Sequence, residues 1–181
     1  IFIEQLLSEE GLSPKDLDAI AVSKGPGSYT GLRIGVSTSK GLCYALGIPL
    51  IAINSLESMA QGYLEKNKAK NIFLCPMIDA RRMEVYTAIY DDALNVLKQT
   101  SAEIIEKNSF SEQLNSNKMV FIGEGADKCR PFLEGHKNAS FETAGSISAT
   151  SMVSMAERVY NKKKFEDLAY FEPFYLKDFV A

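Results

Sequence analysis

The sequence predicts a mixed α/β protein, and three observations carry that prediction. Apolar runs too short for helices, residues 18–23 and 49–53, alternate with segments of helical period. Glycine and proline punctuate the changes, at Gly25-Pro26-Gly27 and Gly47-Ile48-Pro49. The chain has 181 residues, 46% of them apolar, which is enough for one to two domains with a real hydrophobic core.

Taken in order, Ile3, Leu6 and Leu7 followed by Gly11 and Pro14 read as the last turns of an amphipathic helix. Residues 18–23 are a buried strand. A long helix then runs to about Leu46, with Thr30 as its expected cap and Gly47 as its stop. Residues 49–53 form the next buried strand, and Ser55 with Ser58 opens a helix toward Glu65. Strand, helix, strand, helix in this order predicts parallel pairing through right-handed crossovers. The charged, Asn-containing stretch 65–71 is the expected boundary between subdomains. Beyond it, 72–78 and the alternating 84–90 are strands joined through Asp79-Ala80-Arg81-Arg82, and residues 95–97 are a third strand. Residues 119–122 lead through Gly123-Glu124-Gly125-Ala126 into a helix. Residues 146–160 are a helix with Ile147, Met152, Met155 and Val159 inward, and 171–176 are extended.

Twenty basic against twenty-three acidic side chains leave a charge of −3, which argues against a protein that grips nucleic acid by itself. Cys43, Cys75 and Cys129 are odd in number and far apart, as expected in a reducing, cytoplasmic setting rather than in a disulfide framework or zinc site. The longest apolar stretch, 46–53, falls short of the roughly 20 residues a membrane span needs. A soluble protein is expected.

The densest motif is Ser23-Lys24-Gly25-Pro26-Gly27-Ser28-Tyr29-Thr30-Gly31-Leu32-Arg33-Ile34-Gly35. Glycines between a strand and a helix allow a tight turn whose amides suit an anion. The position five residues after Gly25 is Thr30 and after Gly27 is Leu32, so the segment is not a P-loop. Gly25, Gly27 and Gly31 miss the dinucleotide spacing by one residue, and the next strand ends at Asn54-Ser55 without a ribose-binding carboxylate.

This segment resembles the TsaB family, also called YeaZ, the paralogous companions of the TsaD subunit in bacterial tRNA threonylcarbamoyladenosine synthesis. The likeness continues through Lys40-Gly41-Leu42-Cys43-Tyr44, Asn54-Ser55-Leu56-Glu57, Asp79-Ala80-Arg81-Arg82-Met83-Glu84, Gly123-Glu124-Gly125-Ala126 and Glu172-Pro173-Phe174-Tyr175. It implies the two-lobe α/β fold of actin, sugar kinases and Hsp70 (ASKHA). Residues 1–66 would be the first lobe, 67–145 the second, and 146–181 a C-terminal helix and tail packing back on both. Family members carry a strand hairpin with an Asp-x-Ser/Thr motif ahead of the first helix, so the N-terminal strands of the first lobe are expected to be absent from this chain.

The resemblance further implies a non-catalytic scaffold or activator that binds the TsaD-type catalytic subunit. A TsaE-like ATPase and tRNA join through the complex, which uses ATP and metal, and the chain pairs with itself when alone. TsaD-like proteins hold metal with two histidines one helical turn apart. Here only His136 is present, so no metal site and no catalytic residue are expected. In nucleotide-binding members of the fold, a glycine turn after the first strand of the second lobe cradles phosphate. Asp79-Ala80-Arg81-Arg82 stands there instead, and Asp79, Arg81 and Glu84 are either a polar cluster in the interlobe cleft or a hairpin pinned by ion pairs. Gly25, Gly27, Ser28, Thr30 and Arg33 would face the same cleft. Gly123 and Gly125 form either an adenosine-side turn or a plain strand-to-helix connection.

Gly31, Gly35 and Ser39 recur every four residues and make a ridge of small side chains on the long helix. Glycine inside a helix costs about 1 kcal/mol relative to alanine, so the ridge needs a reason, and close approach of another element supplies it. Packing on the chain's own sheet is one such approach. The resemblance implies another, a surface of Phe2, Gln5, Leu6 and Glu9 with Gly31, Ile34, Gly35, Thr38, Ser39 and Leu42 that meets a TsaD partner or a second copy. Lys162-Lys163-Lys164 is either a solvated helix end or an RNA contact. The alternative function is a free-standing nucleotide-dependent enzyme of this fold, such as a small kinase, or a peptidase, although Ser28 has no histidine near it in sequence.

Overall fold

The computed structural model describes residues 2–143 and 147–177. The short helix α1 (Phe2–Glu9) buries Leu7, and a 3-10 turn at Pro14–Asp16 leads into β1 (Ile20–Gly25). β1 pairs in parallel with β2 (Leu50–Asn54), Ile20 opposite Leu50 and Ser23 opposite Ile53. Parallel neighbours need a crossover, and α2 (Tyr29–Leu46) provides it. Thr30 lies inside the first turn of α2 and does not cap it. Ser28 is the cap, because its backbone is still outside the helix and its hydroxyl accepts from the Gly31 amide. Gly47 ends α2 at φ 68°, a left-handed conformation that glycine adopts without a Cβ clash.

The helix α3 (Ser55–Asn67) follows β2 without a loop. Asn54, not Ser55, caps it, accepting from the Leu56 and Glu57 amides at 2.8 and 3.2 Å. Ser55 is buried instead, its hydroxyl 2.6 Å from that of Ser23 on β1.

The larger sheet has five strands: β3 (Ile72–Asp79), β4 (Glu84–Tyr90), β5 (Val96–Ile104), β6 (Lys118–Ile122) and β7 (Ala139–Glu142), in the order β5-β4-β3-β6-β7. β3, β4 and β5 form an antiparallel meander, and β6 and β7 add in parallel beside β3. The strand expected at 95–97 runs nine residues, Val96–Ile104, because an edge strand with one solvated side carries polar residues that hide its pattern. β7 and the one-turn helix α4 (Ser111–Ser116) were not foreseen from the sequence, and both are short.

Period-two alternation gives the five-stranded sheet two apolar faces. Cys75, Met77, Met119 and Phe121 pack with Leu114 of α4 and with Cys129 and Leu133 of α5 (Glu124–Leu133). Leu74, Ile78, Val120 and Ile122 pack with Leu56, Met59 and Ala60 of α3. The two-stranded sheet has its own cluster, Ile51 and Ile53 against Met152 and Met155. Those methionines belong to a 3-10 turn, Ala149–Met152, and to α6 (Val153–Asn161), into which the helix expected over 146–160 resolves. Met152 and Met155 face inward and Val159 is half-buried, whereas Ile147 is 45% exposed; Ser146 lies outside the described residues. Residues 171–175, expected to be extended, belong to no helix or strand; the Tyr175 amide donates to the Pro173 carbonyl at 3.0 Å and a bend follows at 176–177.

Candidate functional site

The residues expected at an interlobe cleft fall into two groups. Asp79, at the end of β3, has its carboxylate 2.6 Å from the Lys128 ammonium of α5, and it accepts from the Arg81 amide at 2.8 Å. Lys128 also donates to the Glu84 carbonyl at 3.0 Å. The Lys128 hydrogen bond holds the Asp79 carboxyl below its usual range. Arg81 is exposed and contributes its backbone to this cluster. One ion pair, Asp79–Lys128, and the Lys128 bond to the Glu84 carbonyl tie the hairpin to α5. Gly125 is needed for packing, since a Cβ there would lie 2.8 Å from the Met77 carbonyl carbon; Gly123, at φ 99°, joins β6 to α5 and donates its amide to Glu142.

The second group surrounds the first turn of α2. A Cβ on Gly25 would stand 2.9 Å from the Phe174 carbonyl oxygen, so the chain's own C-terminal segment occupies the space over that glycine. Gly27 is open and Thr30 is exposed. Arg33 stacks over the Tyr29 ring at 5.5 Å, and the Tyr29 and Tyr175 centroids are 4.9 Å apart. These side chains, with Ser37, Lys40 and Glu172, line an open groove of about 370 Å³.

A third polar cluster, not foreseen from the sequence, lies where β1 and β2 end against β4 and β5. Asn54 donates to the Thr100 hydroxyl at 3.4 Å, linking the two sheets. Burial raises the Glu57 carboxyl above its ordinary range, against the opposing pull of Arg158 and Lys24. Burial, and then the Glu57 charge, push the Tyr90 phenol up, while a hydrogen bond with Thr100 offsets part of the rise. The available sequence signal was a lysine at the end of an apolar strand and a glutamate in the first turn after the next one. Among the described residues no group of three or more His, Cys, Asp or Glu comes together to hold a metal. His136 lies in the turn before β7, where its carbonyl accepts from the Ala139 amide.

The surface expected for a partner divides as well. On α1, Phe2 is 87% and Leu6 60% exposed, on the same side as Gln5 and Glu9, which hydrogen-bond to each other at 2.8 Å. On α2, Gly31, Ile34 (64% exposed) and Thr38 face outward, in line with Gly41 and Ala45. Leu42 and Gly35 are half-buried, Gly35 lying under Val22 of β1, and Ser39 is 9% exposed on the inner face with Leu32, Val36 and Cys43. Steps of four residues overshoot a 3.6-residue turn by about 40°, so the ridge winds from the outer face at Gly31 to the inner face at Ser39.

A two-sheet α/β protein with this strand order and parallel crossover has the ASKHA-type fold. The profile of the family described as "TsaD: tRNA N6-adenosine threonylcarbamoyltransferase" matches residues 1–181. The tRNA threonylcarbamoyladenosine biosynthesis protein TsaB of Escherichia coli K12 is 31% identical over 187 residues, 99% of this chain and 79% of the relative. TsaB of Haemophilus influenzae is 28% identical over 99% of this chain and 78% of its own length. YeaZ from Pseudomonas aeruginosa superposes with a TM-score of 0.82 over 96% of this chain and 80% of that one; at 24% identity this likeness speaks for the fold. The chain belongs to the TsaB (YeaZ) family of tRNA threonylcarbamoyladenosine biosynthesis proteins, relatives of TsaD.

Proposed function

We propose that this protein is a non-catalytic scaffold and activator subunit in tRNA threonylcarbamoyladenosine synthesis, docking a TsaD-type catalytic subunit through α1 and the outer face of α2. The observation that carries the reading is the exposure of Phe2, Leu6 and Ile34 on two helices, together with Tyr44 at 83%. Apolar side chains presented this openly favour a protein partner. The small outer residues Gly31, Gly41 and Ala45 let a partner helix approach closely. A TsaE-like ATPase and tRNA join through the complex, whose ATP and metal are handled by other subunits. The same face pairs two copies when the catalytic subunit is absent. The protein acts in the cytoplasm; no helix among its described residues is long and apolar enough to cross a membrane.

Co-purification with a TsaD-type protein, followed by a tRNA modification assay with and without this chain, tests the reading. Ile34→Asp is expected to weaken association at least about tenfold, as loss of a buried interface anchor does, with the melting temperature unchanged. Failure of the unsubstituted chain to bind or stimulate a TsaD-type subunit overturns the proposal. So does turnover of ATP with magnesium by the isolated chain, which is the signature of a free-standing kinase of this fold.

A further inference from the structure

Past α6, residues 165–177 cross the molecule as an irregular strap, turned at 168–170, with a distinct attachment at each stage. The Glu166 amide donates to the Leu50 carbonyl of β2 at 3.0 Å. The Lys40 ammonium, reaching from α2, donates to the carbonyls of Phe171 and Ala169 at 2.8 and 3.4 Å. The Phe174 amide donates to the Lys24 carbonyl of β1 at 2.7 Å, and the Tyr175 ring rests on Tyr29 in the first turn of α2. The last described residue, Lys177, forms an ion pair with Glu84 of β4, its ammonium 5.9 Å from the Tyr86 ring centroid. The strap thus starts on the two-stranded sheet and ends on the five-stranded one.

The attachments are unequal. Phe174 lies so close over Gly25 that no side chain fits there, and its backbone bond is short. The terminal ion pair is partly open to solvent, with the two side chains 37% and 25% exposed. Such a pair is weak and is screened by salt. A firm middle with a releasable end is the construction of a latch.

We infer that residues 165–177 form a conformational latch: the Lys177–Glu84 pair holds Tyr175 on Tyr29, closes the strap over the Gly25 turn and the first turn of α2, and couples α2 to the β3–β4 hairpin. Opening of the pair frees the Tyr29–Arg33 side of α2 and loosens the Phe174 bond over the Gly25 turn, which then opens more often while the core stays intact. This device belongs to the free chain and does not depend on the partner proposed above.

Hydrogen exchange by NMR on the full chain tests it. Glu84→Gln is expected to speed exchange of the Phe174 amide about two- to fivefold, the range that a partly exposed ion pair supplies. The Leu32 amide, which bonds to the Ser28 carbonyl in the first turn of α2, should follow, while amides of β6 stay unchanged. Tyr175→Ala should give the same pattern, and the exchanged pair Glu84→Lys with Lys177→Glu should restore slow exchange. Unchanged Phe174 exchange in Glu84→Gln overturns the latch. So does equal acceleration in β6, or failure of the exchanged pair to restore protection.

Discussion

Asp79 shows how much a single side chain contributes and when. Its carboxyl is held below the ordinary value of 3.8, first by the Lys128 hydrogen bond, so it binds its proton less tightly in the folded chain than in the unfolded one. The stabilisation is therefore present above about pH 4 and is lost as pH falls through the folded value. Because the Asp79 side chain is 44% exposed, solvent screening limits the pair to roughly 0.5–1 kcal/mol. Asp79→Asn is expected to lower the melting temperature by a constant, small amount between pH 5 and 8, with the difference closing below pH 4. Melting curves across that range check it, and a difference that grows in acid contradicts it. Asp79, Arg81 and Glu84 were legible in the sequence through the family likeness of the turn that carries them. Lys128 was not, since it arrives on α5 from 49 residues away.

At the level of elements, close packing decides what each helix tolerates. α5 lies on β3 at Gly125, where an added Cβ would meet the Met77 carbonyl carbon at 2.8 Å, its oxygen at 2.9 Å and the Ile78 carbonyl carbon at 3.0 Å. These are backbone atoms of a central strand and cannot step aside. Gly125→Ala is expected to cost about 1–3 kcal/mol, read as a fall in melting temperature of about 2–4 °C per kcal/mol for a chain of this size. Gly135→Ala, with nothing within 4 Å of the new methyl, is the control and should leave the midpoint in place. Elements with a continuous apolar run or a glycine stop were legible in the sequence: β1, β2, β3, β4, α2 and α5 all lie where the pattern puts them. β5 is legible only in part, because its polar edge masks the alternation. The small-residue ridge of α2 was legible as composition but not as direction. Which of Gly31, Gly35 and Ser39 faces outward depends on the phase at which Leu32, Val36 and Cys43 seat on β1 and β2; their i, i+4, i+11 spacing carries that phase, and the four-residue repeat of the small residues drifts across it.

For the molecule as a whole, α3 is the joint, because it meets both sheets. Leu56, Met59 and Ala60 enter the core of the five-stranded sheet, while Ser55 hydrogen-bonds to β1 and Gly62 packs on Ser151 in the 3-10 turn before α6. Glu57 stands in the first turn of this helix, where Asn54 reaches Thr100 across the gap between the sheets. Burial raises its carboxyl above the ordinary 4.5, and the charges of Arg158 and Lys24 offset only part of that rise. A raised carboxyl binds its proton more tightly in the folded chain. Its contribution to stability is therefore full below about pH 4.5 and is lost as pH rises through the folded value, leaving a penalty at neutral pH. Glu57→Gln keeps the shape and removes the ionisation, so its melting temperature is expected to exceed that of the unsubstituted chain at pH 7 and to converge with it near pH 4. A lower midpoint at pH 7 would mean that the attraction of Lys24 and Arg158 outweighs the burial cost, and that the two sheets are held together by charge at this joint.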